Sequence, residues 1–149
     1  MIAIIAEKPS VGMDIARVVG ADTRNDGYCS GNGYMVTWAL GHLVSLAMPD
    51  TYGYTKTAAE DLPMLPDPFR LVSRQVRTDR GMVTDIAASK QLKVIENVFN
   101  RCDSIIVATD AGREGELIFR WIYDFLGCTK PFRRLWISSL TDEAIRKGL

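Results

Sequence analysis

The chain has 149 residues, of which 47% are hydrophobic, 9% aromatic and 24% charged. This composition supports one compact domain with a real core and excludes a disordered, collagen-like or coiled-coil chain. The 18 basic and 18 acidic residues cancel, which argues against a purely electrostatic nucleic-acid binder. We expect a cytoplasmic protein, because the three cysteines are scattered and the sequence shows neither a secretory signal nor an apolar run long enough to span a membrane.

The chain begins with the pattern of a strand, a turn and a helix. The isoleucine-rich run from Ile2 to Ala6 is typical of a buried strand. Pro9 suits a first helical turn, and apolar residues at helical spacing continue to Val19, where Gly20 follows. These residues predict a strand that leads directly into a helix.

The next two segments lack helical spacing. Residues 28–46 predict a β segment that turns at residues 30–33, since Ser-Gly-Asn-Gly is typical of a hairpin. Residues 49–69 contain four of the six prolines and predict an irregular, linker-like loop. We therefore expect a small β-hairpin insertion followed by a crossing loop.

The second half of the chain alternates between helix and strand patterns. It predicts a helix over 81–100, a buried strand over 103–109, a helix over 113–126, a third core strand over 135–137 and a final helix capped by Thr141. Such alternation predicts an α/β fold with a mainly parallel sheet flanked by helices. Trp136, like the other two tryptophans, is expected to fill the core.

One stretch of the chain is locally basic. Residues 70–101 carry seven basic and three acidic residues, a net charge of +4. Two interpretations remain open. The charges form either a solvated helix face or a phosphate-contacting surface around Arg70, Arg74, Arg77 and Arg80.

Acidic residues follow two of the predicted strands. Glu7 comes directly after the first strand, Asp110 directly after the strand over 103–109, and Glu114 and Glu116 enter the helix behind it. In an open α/β sheet the functional crevice lies beyond the carboxyl ends of the strands. Converging carboxylates with only oxygen ligands indicate a Mg²⁺ site. Helix capping is the alternative role for Glu114 and Glu116, because acidic residues are favoured at helix N-termini for electrostatic reasons alone.

Four short motifs in this order resemble a known family. They are EKPS at 7–10, GNGYMVTW at 31–38, GHL at 41–43 and TDAGREGEL at 109–117. Together they resemble the N-terminal Toprim domain of type IA DNA topoisomerases, in particular the bacterial topoisomerase III branch, and the LWISSLT stretch at 135–141 is similar to the end of that domain. The resemblance covers essentially the whole chain, residues 1–149, and implies a Rossmann-like Toprim sheet that forms part of a longer polypeptide.

The resemblance implies roles for individual residues. Glu7 takes the position of a glutamate that transfers a proton and helps to hold metal, and Lys8 that of a lysine that contacts the scissile phosphate. The family's DxDxE metal motif maps onto Asp110, Gly112 and Glu114, so that Gly112 stands where the family has its second acid. The implied Mg²⁺ ligands are Glu7, Asp110 and Glu114.

Two further residues are DNA-binding candidates under the same resemblance. His42, the only histidine, is either structural or a contact to DNA or to a metal ligand. Arg113 either contacts a DNA phosphate or pairs with Glu116 or Glu7.

The family's reaction also implies partners outside the chain. A tyrosine from another domain attacks a phosphodiester of single-stranded DNA, forms a 5′-phosphotyrosyl link, and the strand is resealed after strand passage without ATP. None of the five tyrosines here lies in the nucleophile's position. The implied partners are single-stranded DNA and the remaining domains of the same polypeptide, in a bacterial, nucleoid-associated enzyme, and we expect the fragment alone to be inactive. The alternatives are another Toprim enzyme, such as a primase or nuclease, or a non-catalytic nucleic-acid interaction module.

Overall fold

The computed structural model describes residues 1–54 and 58–149. Its strands within those residues are β1 Ile2–Ala6, β2 Thr23–Asn25, β3 Tyr28–Gly31, β4 Tyr34–Trp38, β5 Val44–Leu46, β6 Leu71–Ser73, β7 Gln75–Thr78, β8 Gly81–Thr84, β9 Ser104–Ala108 and β10 Phe132–Arg134. Its α-helices are α1 Pro9–Val19, α2 Ile86–Arg101, α3 Arg113–Phe125 and α4 Asp142–Gly148.

The main sheet has β1 near its centre. Its strand order is β10-β9-β1-β4-β3-β2. Strands β10, β9, β1 and β4 run parallel, whereas β3 and β2 continue the sheet in antiparallel fashion. The predicted mainly parallel sheet with a β-hairpin at residues 28–38 is therefore confirmed. Strands β5 and β6 form a separate two-stranded sheet, as do β7 and β8.

Helices cover both faces of the main sheet because β1 is apolar on both. Ala3 and Ile5 belong to a core that includes residues of α2 and α3, whereas Ile4 and Ala6 belong to a core that includes residues of α1 and α4. These four side chains are completely buried. The unbroken apolar run at the start of the sequence is thus a strand buried on both faces.

The first helix has the ends that its sequence predicts. Pro9 lies in its first turn, where its missing N–H is not needed. Gly20 ends the helix with a φ of 77°, and its N–H is directed to the carbonyls of Ala16 and Arg17. A positive φ at this position favours glycine.

The second helix begins later than predicted. Residues Gly81–Thr84, predicted as its first turn, form β8 and pair with β7. The helix starts at Ile86, because the Asp85 side chain accepts from the N–H groups of Ala87 and Ala88 and so caps it.

The strand predicted over residues 135–137 lies three residues earlier, at Phe132–Arg134. Leu135 is still buried, and its N–H donates to the Val107 carbonyl at 2.9 Å. The chain then leaves the sheet, so that Trp136 is 70% exposed. The expectation that Trp136 fills the core is therefore wrong.

The proline-rich segment has little regular structure where it is described. Its regular parts are the short 3-10 helices Pro49–Tyr52 and Ala59–Asp61. Residues 55–57 of the predicted loop over 49–69 lie outside the described residues. Within residues 1–54 and 58–149, none of the helices has the length and apolar character that crossing a membrane requires.

The packing of α3 gives a stability prediction. Phe119 is completely buried, and its ring lies 5.0 Å from that of Phe132 and 5.5 Å from that of Tyr123, centroid to centroid. Phe119→Ala should therefore lower the free energy of unfolding by about 3–5 kcal/mol. The control Phe125→Ala lies on the same helix at 38% exposure and should cost less than half as much. Urea denaturation of the two variants measures both values, and equal losses would contradict this packing.

Candidate active site

Glu7 and Asp110 lie together at the carboxyl ends of two neighbouring strands. Strand β1 pairs in parallel with β9, with Ala6 opposite Ala108. Glu7 is the residue after β1, and Asp110 follows β9 by two residues. The Asp110 N–H donates to Oε2 of Glu7 at 3.2 Å. The predicted approach of these two residues across the crevice is confirmed.

Lys8 and Arg113 lie on the two helices that begin beside this pair. Lys8 is the N-cap residue of α1, and Arg113 is the first residue of α3. Both side chains are exposed. Neither takes part in an ion pair among the residues that the structure describes. Arg113 therefore pairs with neither Glu116 nor Glu7, which were its alternatives to a contact with DNA.

Glu114 contacts a histidine and not the other two carboxylates. Its Oε1 lies 2.5 Å from Nε2 of His42, and the His42 ring lies 5.7 Å from that of Trp121, centroid to centroid. His42 follows Gly41, whose φ of 67° favours glycine. Within the described ranges, no three His, Cys, Asp or Glu side chains form a group that could hold a metal. The structure therefore brings Glu7 to Asp110 and His42 to Glu114, but does not bring the three predicted ligands into one cluster.

Glu116 is bound by two arginines. Its carboxylate pairs with Arg120 at 2.8 Å and also with Arg134, whose side chain is only 11% exposed. The Arg120 guanidinium, supported by that of Arg134, lowers the pKa of Glu116 against the opposing effect of burial. Glu116 is therefore ionised and held in ion pairs, which agrees with its absence from the implied set of Mg²⁺ ligands.

Arg134 also supports the turn that carries Asp110. Its Nη1 donates to the Thr109 carbonyl at 2.9 Å, and the Thr109 hydroxyl donates to the Gly115 carbonyl at 2.7 Å. The Gly112 N–H donates to the Asp110 carbonyl at 2.9 Å and closes the turn. The chain from β9 into α3 is thus fixed by hydrogen bonds, and nothing in the sequence pattern indicates Arg134 as a part of it.

Three of the four arginines of the basic stretch are exposed, and the fourth, Arg74, is not. The Arg74 guanidinium turns inward and pairs with Asp85 at 2.7 Å, an interaction that lowers the pKa of the Asp85 carboxyl. Arg77 and Arg80 are exposed on the β7–β8 hairpin, and Arg70 is exposed on a different segment, where its N–H donates to the Tyr52 hydroxyl. Arg74 is therefore not part of a phosphate-contacting surface. The four arginines are not on a helix face either, because none of them lies in a helix.

A cleft of about 670 Å³ beside the turn is a feature that sequence reasoning missed. It lies between α3 and the β9–β10 edge, and its lining includes Arg113, Leu117, Phe132 and Trp136. The exposed Trp136 borders it because the chain leaves the sheet after Leu135. Helical spacing identified the apolar residues of α3 but could not show which of them line a cleft.

These features define an α/β domain with an acidic crevice at the carboxyl ends of its central strands. The chain belongs to the Toprim domain family, whose family model matches residues 2–140.

Relatives that are about 50% identical to the chain over this region are much longer proteins. The chain is 48% identical over 150 residues to DNA topoisomerase 3 of Shouchella clausii (strain KSM-K16), a match that covers 98% of this chain and 19% of that protein. It is 51% identical over 150 residues to DNA topoisomerase 3 of Bacillus thuringiensis (strain Al Hakam), covering 97% of this chain and again 19% of the relative. The chain therefore spans about one fifth of the length of these relatives, whose remaining length implies further domains.

Two glycines at the start of α3 give a matched prediction. A Cβ on Gly115 would collide with the Asp110 carbonyl oxygen, a main-chain atom, whereas a Cβ on Gly112 would meet nothing within 4 Å. Gly112 has a φ of −149°, which any residue adopts. Gly115→Ala should therefore destabilise the chain by about 1–3 kcal/mol, and Gly112→Ala should change its stability by less than about 0.5 kcal/mol. Urea denaturation compares them, and similar values for the two variants would show that the turn is looser than described.

Proposed function

We propose that this chain is the metal-binding Toprim part of the active site of a type IA DNA topoisomerase. The parent enzyme would cleave one DNA strand through a 5′-phosphotyrosine and reseal it after strand passage, with the tyrosine outside residues 1–149. The observation that carries the proposal is the contact of Glu7 with Asp110 at the ends of β1 and β9. Identity near 50% to proteins named DNA topoisomerase 3 supports the same function.

Glu7 is the proposed proton-transfer residue. One of its oxygens, Oε2, accepts from the Asp110 N–H, and the side chain is only partly buried. This bond orients the carboxylate, and the other oxygen has no hydrogen-bond partner within the described ranges. It would exchange a proton with the 3′-oxygen that leaves when the strand is cut.

Three cationic or titratable residues are the proposed DNA contacts. Lys8 immediately follows Glu7, and its exposed ammonium would stabilise the charge of the scissile phosphate. Arg113 begins α3, where its exposed charge adds to the positive end of the helix dipole. His42 would contact DNA or hold Glu114 in place, and its 2.5 Å contact with Glu114 supports the second role.

The oxygen donors of Glu7 and Asp110, which lie together, suit a hard divalent cation, whereas Glu114 contacts His42 and would have to turn from it to join them. Toprim domains of topoisomerases generally bind a divalent metal, and we propose that it is Mg²⁺ here, with Asp110 as the principal ligand and Glu7 and Glu114 beside it. Mg²⁺ usually keeps several waters and takes only one or two carboxylates, which suits the open turn at Gly112. When bound, Mg²⁺ would neutralise the charge that develops on the phosphate.

The proposed partners are single-stranded DNA and the other domains of the same polypeptide, in the cytoplasm of a bacterium at its nucleoid. The net charge over the chain is zero, so that the exposed Arg77 and Arg80 form only a local basic surface. Residues 1–149 alone should therefore bind single-stranded DNA weakly, with an affinity that falls as salt rises.

The function is tested by Glu7→Gln in the longer polypeptide. Removing the proton-transfer group should slow relaxation of a supercoiled plasmid and cleavage of a single-stranded oligonucleotide by about 10²–10⁴-fold. The control Glu143→Gln removes a carboxylate that pairs with Lys147 on the exposed side of α4 and should leave both rates unchanged. Full activity of Glu7→Gln would favour a non-catalytic role for this domain, and relaxation by residues 1–149 alone would contradict the missing nucleophile.

The metal assignment is tested by calorimetry on residues 1–149. Gly112→Asp adds an anionic oxygen donor where there is open space and should tighten Mg²⁺ binding by about tenfold, because Coulomb attraction to the cation increases. Gly112→Asn has nearly the same shape without the charge and should have little effect. Asp110→Asn should weaken binding. An unchanged affinity for Gly112→Asp would show that position 112 does not face the metal.

A further inference from the structure

Arg74 binds the main chain of the segment that carries His42. It lies between β6 and β7, and its Nη1 donates to the carbonyl oxygens of Leu40 at 2.8 Å and His42 at 3.1 Å. Its own main-chain N–H donates to the Leu43 carbonyl at 2.8 Å. Three carbonyls of the four-residue segment 40–43 therefore accept from this single arginine.

The rest of the Arg74 guanidinium is held by Asp85. Nε and Nη2 contact the same oxygen, Oδ2, at 2.8 and 2.7 Å. The second oxygen, Oδ1, accepts from the N–H groups of Ala87 at 2.9 Å and Ala88 at 3.3 Å. Asp85 is thus the N-cap of α2, and the guanidinium is anchored to the start of a 16-residue helix.

The segment that Arg74 holds connects β4 to β5, and contacts on its two sides tie it to β1 and to Glu114. At its start the Ala39 N–H donates to the Ala6 carbonyl at 2.8 Å. At its other side the His42 ring meets Glu114 at 2.5 Å and packs near Trp121. A displacement of these few residues would therefore move the imidazole away from the first turn of α3.

We propose that Arg74 is a positioning residue, whose guanidinium fixes residues 40–43 so that His42 reaches Glu114. Its contribution to catalysis rests on the proposed topoisomerase function, whereas its effect on the His42 ring does not. Arg74 then acts inside the protein and not on a DNA phosphate.

Lysine cannot reproduce this arrangement. The planar guanidinium presents five donors in a fixed fork, and here the fork reaches one carboxylate and two carbonyls at once. A lysine ammonium in the same place is a compact point donor on a flexible stem and would keep the pair with Asp85 at the expense of the carbonyls. Arg74→Lys therefore preserves the charge and the main-chain bond to Leu43, and removes the guanidinium bonds to the carbonyls of Leu40 and His42.

The first experiment uses the single histidine as a spectroscopic probe in the 149-residue chain. The His42 Cε1–H gives one signal in a ¹H–¹³C spectrum, and the native chain should show a nuclear Overhauser contact between the His42 and Trp121 rings. At fixed pH, Arg74→Lys should abolish this contact and move the signal towards its position in an unstructured peptide. The control Arg17→Lys changes an arginine that is bound by Asp142 at 2.8 and 2.9 Å between α1 and α4, and it should leave both observations unchanged.

A folded Arg74→Lys chain that keeps the His42–Trp121 contact would overturn the proposal. If Arg74→Lys does not fold, Arg74→Gln decides the question, because its shorter amide can still donate to Asp85 but cannot also reach the carbonyls of Leu40 and His42. Loss of the contact in folded Arg74→Gln supports the proposal, and its retention contradicts it.

The second experiment is a double-mutant cycle in the longer polypeptide. Arg74→Lys should slow cleavage of a single-stranded oligonucleotide about tenfold without changing the Kd for that oligonucleotide. In a His42→Ala background, Arg74→Lys should slow cleavage by less than about a further twofold. A weaker Kd with a smaller salt dependence would show instead that Arg74 contacts phosphate, and would overturn the proposal. A native polypeptide without any cleavage activity would count against the proposed function, while the ring contact of His42 would still decide whether Arg74 positions it.

Discussion

The parallel pairing of β1 with both β4 and β9 is the constraint on which the site depends. It makes β1 an inner strand, with Ala6 opposite Trp38 on one side and Ala108 on the other. The chains that leave these three strands therefore emerge at one edge of the sheet. Glu7, the Asp110 turn and the His42 segment meet there because their strands end at the same level.

Two arginines donate hydrogen bonds to the segments that follow β4 and β9. Arg74 donates to the carbonyls that precede and include His42, and Arg134 donates to the Thr109 carbonyl ahead of the Asp110 turn. Loop carbonyls near the protein interior need donors, and a guanidinium can supply several from one side chain. Each arginine is also bound by a carboxylate: Arg74 lowers the pKa of Asp85, and Arg134 adds to the larger effect of Arg120 in lowering the pKa of Glu116. These ion pairs thus stabilise the segments that line the crevice, whereas other charged side chains of the crevice are exposed to solvent.

The acidic residues near the crevice have distinct roles because their surroundings differ. Glu116 pairs with two guanidinium groups, and Glu114 contacts an imidazole. Among the residues described, Glu7 accepts only a main-chain N–H. Asp110 stands at an open turn whose neighbour, Gly112, has space beside it. The pair formed by Glu7 and Asp110 therefore has the most freedom to meet a phosphate or a cation.

Local sequence predicted most of the elements, because their signals act over a few residues. The apolar run of β1, the proline and glycine at the ends of α1, and the hairpin turn at residues 30–33 were all sufficient to predict their structure. The same reasoning failed at β8 and after Leu135. Strand β8 depends on pairing with β7, and the end of β10 depends on its neighbour β9. Neither partner can be identified from the residues of the strand itself.

The sequence by itself determined the fold class, the order of the elements and the presence of acidic residues at the ends of β1 and β9. Only the tertiary structure decided their partners: Asp110 for Glu7, His42 for Glu114, and Asp85 with the His42 segment for Arg74. In the first of these contacts the two residues are separated by 103 positions in the sequence, and in the second by 72 positions. Periodicity and capping act within a turn or two of chain, whereas contacts over such separations depend on which strands lie side by side and on the directions in which their connecting segments leave the sheet.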